Sequence, residues 1–122
     1  MNMVAAGSYL KALRESQKLT QLDIATAIGS TVNTVWRVED GRQEPKAANL
    51  VNWLAFLHGR AEDLAALIND ASATVEDGQK KAHAWFIEYS AQATDQERRA
   101  AAEKLRKLAD DVEAGRSALP RI

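Results

Sequence analysis

Apolar residues recur at steps of three and four along most of the chain, and no stretch shows the strict alternation of a half-buried strand. The spacing predicts helices, with boundaries set by Gly and by residues suited to capping. Ser8 is placed to cap a first helix that turns Leu10 and Leu13 inward, with Lys11 and Arg14 on other faces. Thr20 is placed to cap a second, from Gln21 to Ile28, which Gly29 ends. Thr31 opens a third that Gly41 closes. Pro45 suits the first turn of a fourth helix running to Gly59, along which Ala47, Leu50, Val51, Leu54 and Leu57 keep the apolar spacing. A short fifth follows, with Leu64, Leu67 and Ile68 inward.

The small, polar run that ends at Gly78 predicts a linker over 70–78, separating a first domain (1–69) from a second helical unit (79–115). In that unit Gln79 to Ala93 sets Ala82, Trp85, Phe86 and Tyr89 in one stripe. Thr94 and Glu97 form a Thr-x-x-Glu capping box that opens a long helix ending near Gly115. Its inward positions Ala101, Leu105, Leu108 and Val112 have the spacing of a helix–helix seam. A hairpin of this size buries too little apolar area to offset its own ordering, so it must dock on something. Trp85, Phe86, Tyr89, Ala101, Leu105, Leu108 and Val112 are therefore the candidate dimer or partner interface. Self-association is the first expectation, and packing on the first domain the second. Residues 116–122 form a tail expected to fray, with Leu119 and Ile122 able to dock. The expected fold class is all-α: five helices followed by a C-terminal two-helix unit.

Composition narrows the function classes. Twenty-three of the 122 residues are Ala, which favours helix and supplies few bulky core groups. Sixteen Lys+Arg against seventeen Asp+Glu leave a net charge of −1, which excludes a partner captured by bulk charge alone. The absence of Cys removes disulfides, thiolate nucleophiles and Cys-based zinc sites. With only His58 and His83, no Cys near His83, and apolar Phe86 and Ile87 three and four residues after it, no metal site is expected. His58 at a helix end instead suits the helix dipole, and Asp110, Asp111 and Glu113 are expected to face solvent. No Gly-rich phosphate loop, nucleophile elbow or acid–base pair stands out, so neither an enzyme nor a cofactor is expected. No apolar run approaches the ~20 residues of a membrane span. Met1 to Gly7 lacks the basic start and apolar core of a signal peptide, so a cytoplasmic location is expected.

The segment from Gln21 to Val38 carries the most information. Two short helices meet across Gly29, which can take the positive φ of a tight turn, and Ala25 one turn earlier is small enough for close crossing. Ile24, Ile28, Val35 and Val38 then fall on inner faces, the arithmetic of a helix-turn-helix. Leu10-x-x-Leu13-Arg14, Leu19-Thr20-Gln21, Ile24-Ala25, Gly29, Val35, Val38-Glu39-Asp40-Gly41 and Pro45 together resemble the Cro/CI-type (XRE) family of bacterial and phage DNA-binding repressors. The resemblance covers residues 8 to 69.

It implies a compact five-helix domain whose third helix enters the DNA major groove, and a prokaryotic or phage-encoded protein acting on the nucleoid. It gives Gln21 a contact to phosphate or base edge at the start of the second helix. It makes Thr31 to Arg37 the recognition helix, with Thr31, Val32, Asn33, Thr34, Trp36 and Arg37 outward. Asn33 can pair bidentately with adenine, Val32 can pack on a thymine methyl, and Arg37 can reach guanine or phosphate. Arg42 and Lys46 would bind backbone phosphates along with main-chain amides. Arg14 and Glu39 match the family's internal ion pair. Ser30 departs from an apolar family position. Trp36 is an unusually large outward residue, with three placements open to it: on the sugar-phosphate backbone, folded on its own domain, or on a partner.

Residues 1–59 hold six Lys+Arg and five Asp+Glu, so a monomer should bind DNA weakly and useful affinity should come from pairing two half-sites. The function implied is a sequence-specific regulator, a repressor binding a two-fold symmetric operator in double-stranded DNA as a homodimer. An antirepressor, a protease or a toxin would be its possible protein partners. The competing reading is an antitoxin-like module whose C-terminal helices bind and neutralise another protein.

Overall fold

The computed structural model describes residues 1–113, with all side chains except those at 93–96, 98, 101, 105 and 110–113. The elements are α1 (Met3–Ser16), α2 (Gln21–Ile28), α3 (Val32–Glu39), α4 (Ala47–Leu57), α5 (Ala61–Asn69) and α6 (Val75–Glu113). No strand occurs among the described residues, in keeping with the all-α expectation. The chain divides into two units, Met1–Ile87 and Glu88–Ile122.

The first unit is built around α1, whose Ala5, Ala6, Tyr9, Leu10 and Leu13 are fully buried against α3, α4 and α5. This helix begins earlier than the expected cap at Ser8. Asn2 caps it instead: its Oδ1 accepts from the Ala5 N–H at 3.2 Å, while its Nδ2 donates to the Asp70 and Ala73 carbonyls at 2.7 and 2.9 Å. One side chain thus fixes the start of α1 and the end of α5 together. Ser8 is buried within the helix, 3.0 Å from the Ala5 carbonyl oxygen and 2.8 Å from that of Val75, so its hydroxyl is satisfied without any capping role. Gly7 marks where α1 crosses the end of α3: a Cβ there would fall on the Val38 carbonyl oxygen and lie 2.8 Å from that of Glu39.

Helix α4 is shorter than the expected span from Pro45 to Gly59. Lys46 is its N-cap and His58 closes it in the left-handed conformation, with φ 56°. Its inner face is centred on fully buried Trp53 and Leu57, flanked by Leu50 and Leu54, while Val51 points outward at 67% exposure. Leu50, Trp53, Leu54 and Leu57 lie within one arc of a helix, and Val51 falls outside it. Leu64, Leu67 and Ile68 of α5 face the core as expected.

The linker is five residues rather than nine. Thr74 and Asp77 form a capping box, Thr74 N–H to Asp77 Oδ2 at 2.8 Å and Asp77 N–H to Thr74 Oγ1 at 3.3 Å, and α6 starts at Val75. Gly78 therefore lies inside a helix, where its lack of a side chain permits close packing on α1. A Cβ there would fall on the Ser8 hydroxyl and the Ala5 carbonyl oxygen, and lie 2.9 Å from the Tyr9 nitrogen. Ala82 and Trp85 follow on the same face, both buried, and the Trp85 indole N–H donates to the His58 carbonyl at 2.6 Å.

The two-helix unit expected after residue 78 is, over the described residues, the one helix α6. Thr94 lies in its interior. A residue able to cap does not end a helix when the sequence on both sides, rich in Ala, Gln, Glu and Arg, favours continuing it. The side chains of Thr94, Ala101, Leu105 and Val112, and the whole of residues 116–122, lie outside the described residues.

Tyr9 shows how burial sets chemistry in this core. Its hydroxyl accepts from the Arg60 N–H at 3.1 Å and lies 3.5 Å from Asp63 Oδ2. Burial is the main cause that pushes its pKa up to about 12. The fold thus favours the neutral phenol; that contribution is complete below the ordinary value of 10.0 and is lost as pH rises to about 12. Stability followed by chemical denaturation is expected to fall across this window, and Tyr9→Phe is expected to flatten the fall.

Candidate nucleic-acid interface

Helices α2 and α3 are held by their own ends before any packing is considered. Thr20 and Asp23 form a reciprocal capping box, Thr20 N–H to Asp23 Oδ2 at 2.8 Å and Asp23 N–H to Thr20 Oγ1 at 3.1 Å. The Thr20 N–H, and after it the Thr20 hydroxyl, hold the Asp23 carboxyl below its usual range. Gly29 closes α2 with φ 68°, and the Ser30 N–H donates back to the Ala25 carbonyl at 2.9 Å. Thr31 then caps α3 through its Oγ1, which accepts from the Thr34 N–H at 3.2 Å. The turn expected across Gly29 is thus present with both caps in place.

One buried carboxylate ties the first three helices together. Glu39, at the end of α3, accepts from Arg14 Nε at 2.7 Å and Nη2 at 3.1 Å, and from Gln21 Nε2 at 3.0 Å. Arg14 also donates through Nη1 to the Leu19 carbonyl at 2.9 Å, which pins the loop between α1 and α2. The ion pair is largely desolvated, with side-chain exposure of 12% for Arg14 and 2% for Glu39. Gln21, expected to contact DNA, is half-buried with its amide on Glu39, so in this state it positions α2 against α3.

Val35 and Val38 are fully buried, and this fixes the rotation of α3. Its opposite stripe carries Val32, Asn33, Trp36 and Arg37, all exposed, with Thr31 exposed at the cap and Thr34 half-buried. The stripe presents an amide able to pair with a base edge, a methyl-bearing side chain and a guanidinium on one surface. Lys46 is exposed at the start of α4 and makes no capping hydrogen bond of its own. It stands beside the unpaired amides of the first turn, which together favour an anion.

Arg42 departs from a free phosphate ligand. Its Nε donates to Asp40, and its guanidinium carbon lies 5.1 Å from the centroid of the Trp36 ring. The Trp36 ring forms a platform for a cation of its own domain and remains 43% exposed. Asp40 was not among the expected site residues. The signal was present in Asp40-Gly41-Arg42, which sets opposite charges either side of a glycine turn, with Gly41 at φ 75°.

Of the candidate interface residues further along, Trp85 is core, because its indole fills the first unit and bonds the end of α4. Phe86 and Tyr89 are exposed at 38% and 40%, and Leu108 at 37%. Ala101, Leu105 and Val112 lie outside the described side chains. No group of three or more metal-ligating side chains occurs among the described residues.

Two capped helices around a glycine turn, the second buried on one face and bearing amide and basic groups on the other, define a DNA-binding helix-turn-helix domain. The chain belongs to the helix-turn-helix domain family, whose model matches residues 5–68. The resemblance to Cro/CI-type regulators stands with it. The chain is also 31% identical over 94 residues to the Herpetosiphon aurantiacus protein described as "Uncharacterized 15.4 kDa protein in HgiDIIM 5'region", covering 77% of this chain and 68% of that protein. No solved structure matches.

Proposed function

We propose that the protein is a sequence-specific transcriptional repressor that binds a two-fold symmetric operator as a homodimer, with α3 in the major groove. The observation that carries this reading is the outward stripe Val32, Asn33, Trp36 and Arg37 on a helix fixed from behind by Val35 and Val38. Asn33 reads a base edge, Arg37 reaches guanine or phosphate, and Lys46 with the first-turn amides of α4 grips the backbone. Repression follows from occupying a promoter.

Pairing of subunits supplies the affinity that a weakly charged single domain lacks. We assign it to α6 beyond the first unit, where Tyr89 and Leu108 keep apolar surface exposed. Half-sites would then lie about one DNA turn apart, ~34 Å. No described helix is long and apolar enough to cross a membrane, which is compatible with action on the nucleoid in the cytoplasm.

The test uses a duplex selected by the full chain from a random pool. Asn33→Ala is expected to cost about 1–3 kcal/mol and to relax the preference at a single base pair. Lys46→Ala is expected to weaken all sequences alike and to flatten the salt dependence by about one counterion. Binding left unchanged by both substitutions would remove α3 and α4 from the interface.

A further inference from the structure

The carboxylate of Asp40 stands where several forces oppose it. It follows the last turn of α3, where the helix dipole disfavours negative charge. It also borders the stripe that, on the reading above, meets a polyanion. Its partner Arg42 is bound only through Nε, which leaves both Nη groups without a hydrogen bond among the described residues. The guanidinium is meanwhile seated over Trp36, a residue of the outward stripe. A flexible arginine is thereby fixed at two points, with its paired Nη donors left to meet two oxygens of one phosphate.

We propose that Asp40 and Trp36 are positioning residues that set Arg42 in advance for a DNA backbone phosphate beside the recognition helix. This rests on the assignment of α3 to the DNA interface. Asp40 orients the fork through Nε, and the Trp36 ring holds its plane by cation–π attraction. Together they remove rotamer freedom that Arg42 would otherwise lose on binding. Asp40 therefore aids DNA binding although it repels DNA, and its sign depends on Arg42 being present.

The experiment is a double-mutant cycle on the full chain with a mixed-sequence duplex, measured over a range of salt. Arg42→Gln is expected to lower the salt slope by about one counterion. Asp40→Ala is expected to weaken binding about two- to fivefold when Arg42 is present, the scale of an exposed ion pair. In the Arg42→Gln background the same change is expected to tighten binding, because only repulsion remains. By NMR of the free protein, Asp40→Ala and Trp36→Ala should each speed solvent exchange of the Arg42 Nε–H, a readout that general loss of binding would not move. Both Asp40 and Arg42 are substantially exposed, so melting curves should match the wild type. Tighter binding by Asp40→Ala in both backgrounds, or an unchanged Nε–H exchange rate, would overturn the proposal and leave the DNA reading intact. Failure of the wild type to bind any duplex would overturn both.

Discussion

Replacing Arg14 by Met is expected to lower stability by about 3–5 kcal/mol, the cost of leaving one member of a buried ion pair uncompensated. Glu39 would keep a carboxylate whose side chain is 2% exposed, with the Gln21 amide as its remaining side-chain donor. The Leu19 carbonyl would lose its partner as well. Because Glu39 ends α3 and Gln21 begins α2, the loss should appear twice, in chemical denaturation and in a weakened hold of α3 on DNA. Arg14→Met combined with Glu39→Leu is expected to recover much of the stability, since well-packed apolar groups often replace a buried pair at little cost. A loss below about 1 kcal/mol for Arg14→Met would place the pair among weak surface bridges and contradict its desolvated geometry.

The second large effect concerns a residue that spacing alone assigns elsewhere. Trp85→Ala is expected to destabilise the full chain by about 3–5 kcal/mol, through the cavity left by a buried indole and the lost hydrogen bond to the His58 carbonyl. For the same reason a chain ending at Asp70 should be less stable than one ending at Ile87, where the first unit closes. The discriminating outcome is a Trp85→Ala protein that keeps its stability but loses self-association. That result would return Trp85 to an interface between subunits.

The contrast between Trp85 and Val35 shows where the sequence was legible. Val35 and Val38 sit on a short helix whose ends, Thr31 before it and Asp40-Gly41 after it, are local signals, so period and boundary agree and the buried face follows. Trp85 lies on a helix whose start was hidden. Gly78 reads as a linker residue because glycine is a frequent loop former, but here it serves a contact with α1 that only the folded chain reveals. Gly7 is the same case at the crossing of α1 and α3. Asn2 caps α1 through the local Ala5 N–H, whereas its bonds to the Asp70 and Ala73 carbonyls, remote in sequence, are visible only in the folded chain. Long-range partners also explain the site. The Asn33 stripe was visible from helical period, whereas the engagement of Gln21 by Glu39, and of Trp36 by Arg42, depends on side-chain directions that spacing does not give.

Selection from a random duplex pool by the full chain, with Asn33→Ala carried through in parallel, tests the central claim most directly. The wild type is expected to enrich a two-fold symmetric site, and the variant to enrich it with one base pair per half-site relaxed. No enrichment by the wild type, or an identical site for both proteins, would contradict a reading helix at α3. With no enrichment at all, the work of the protein would fall to the helix beyond Ile87 and the partner it binds.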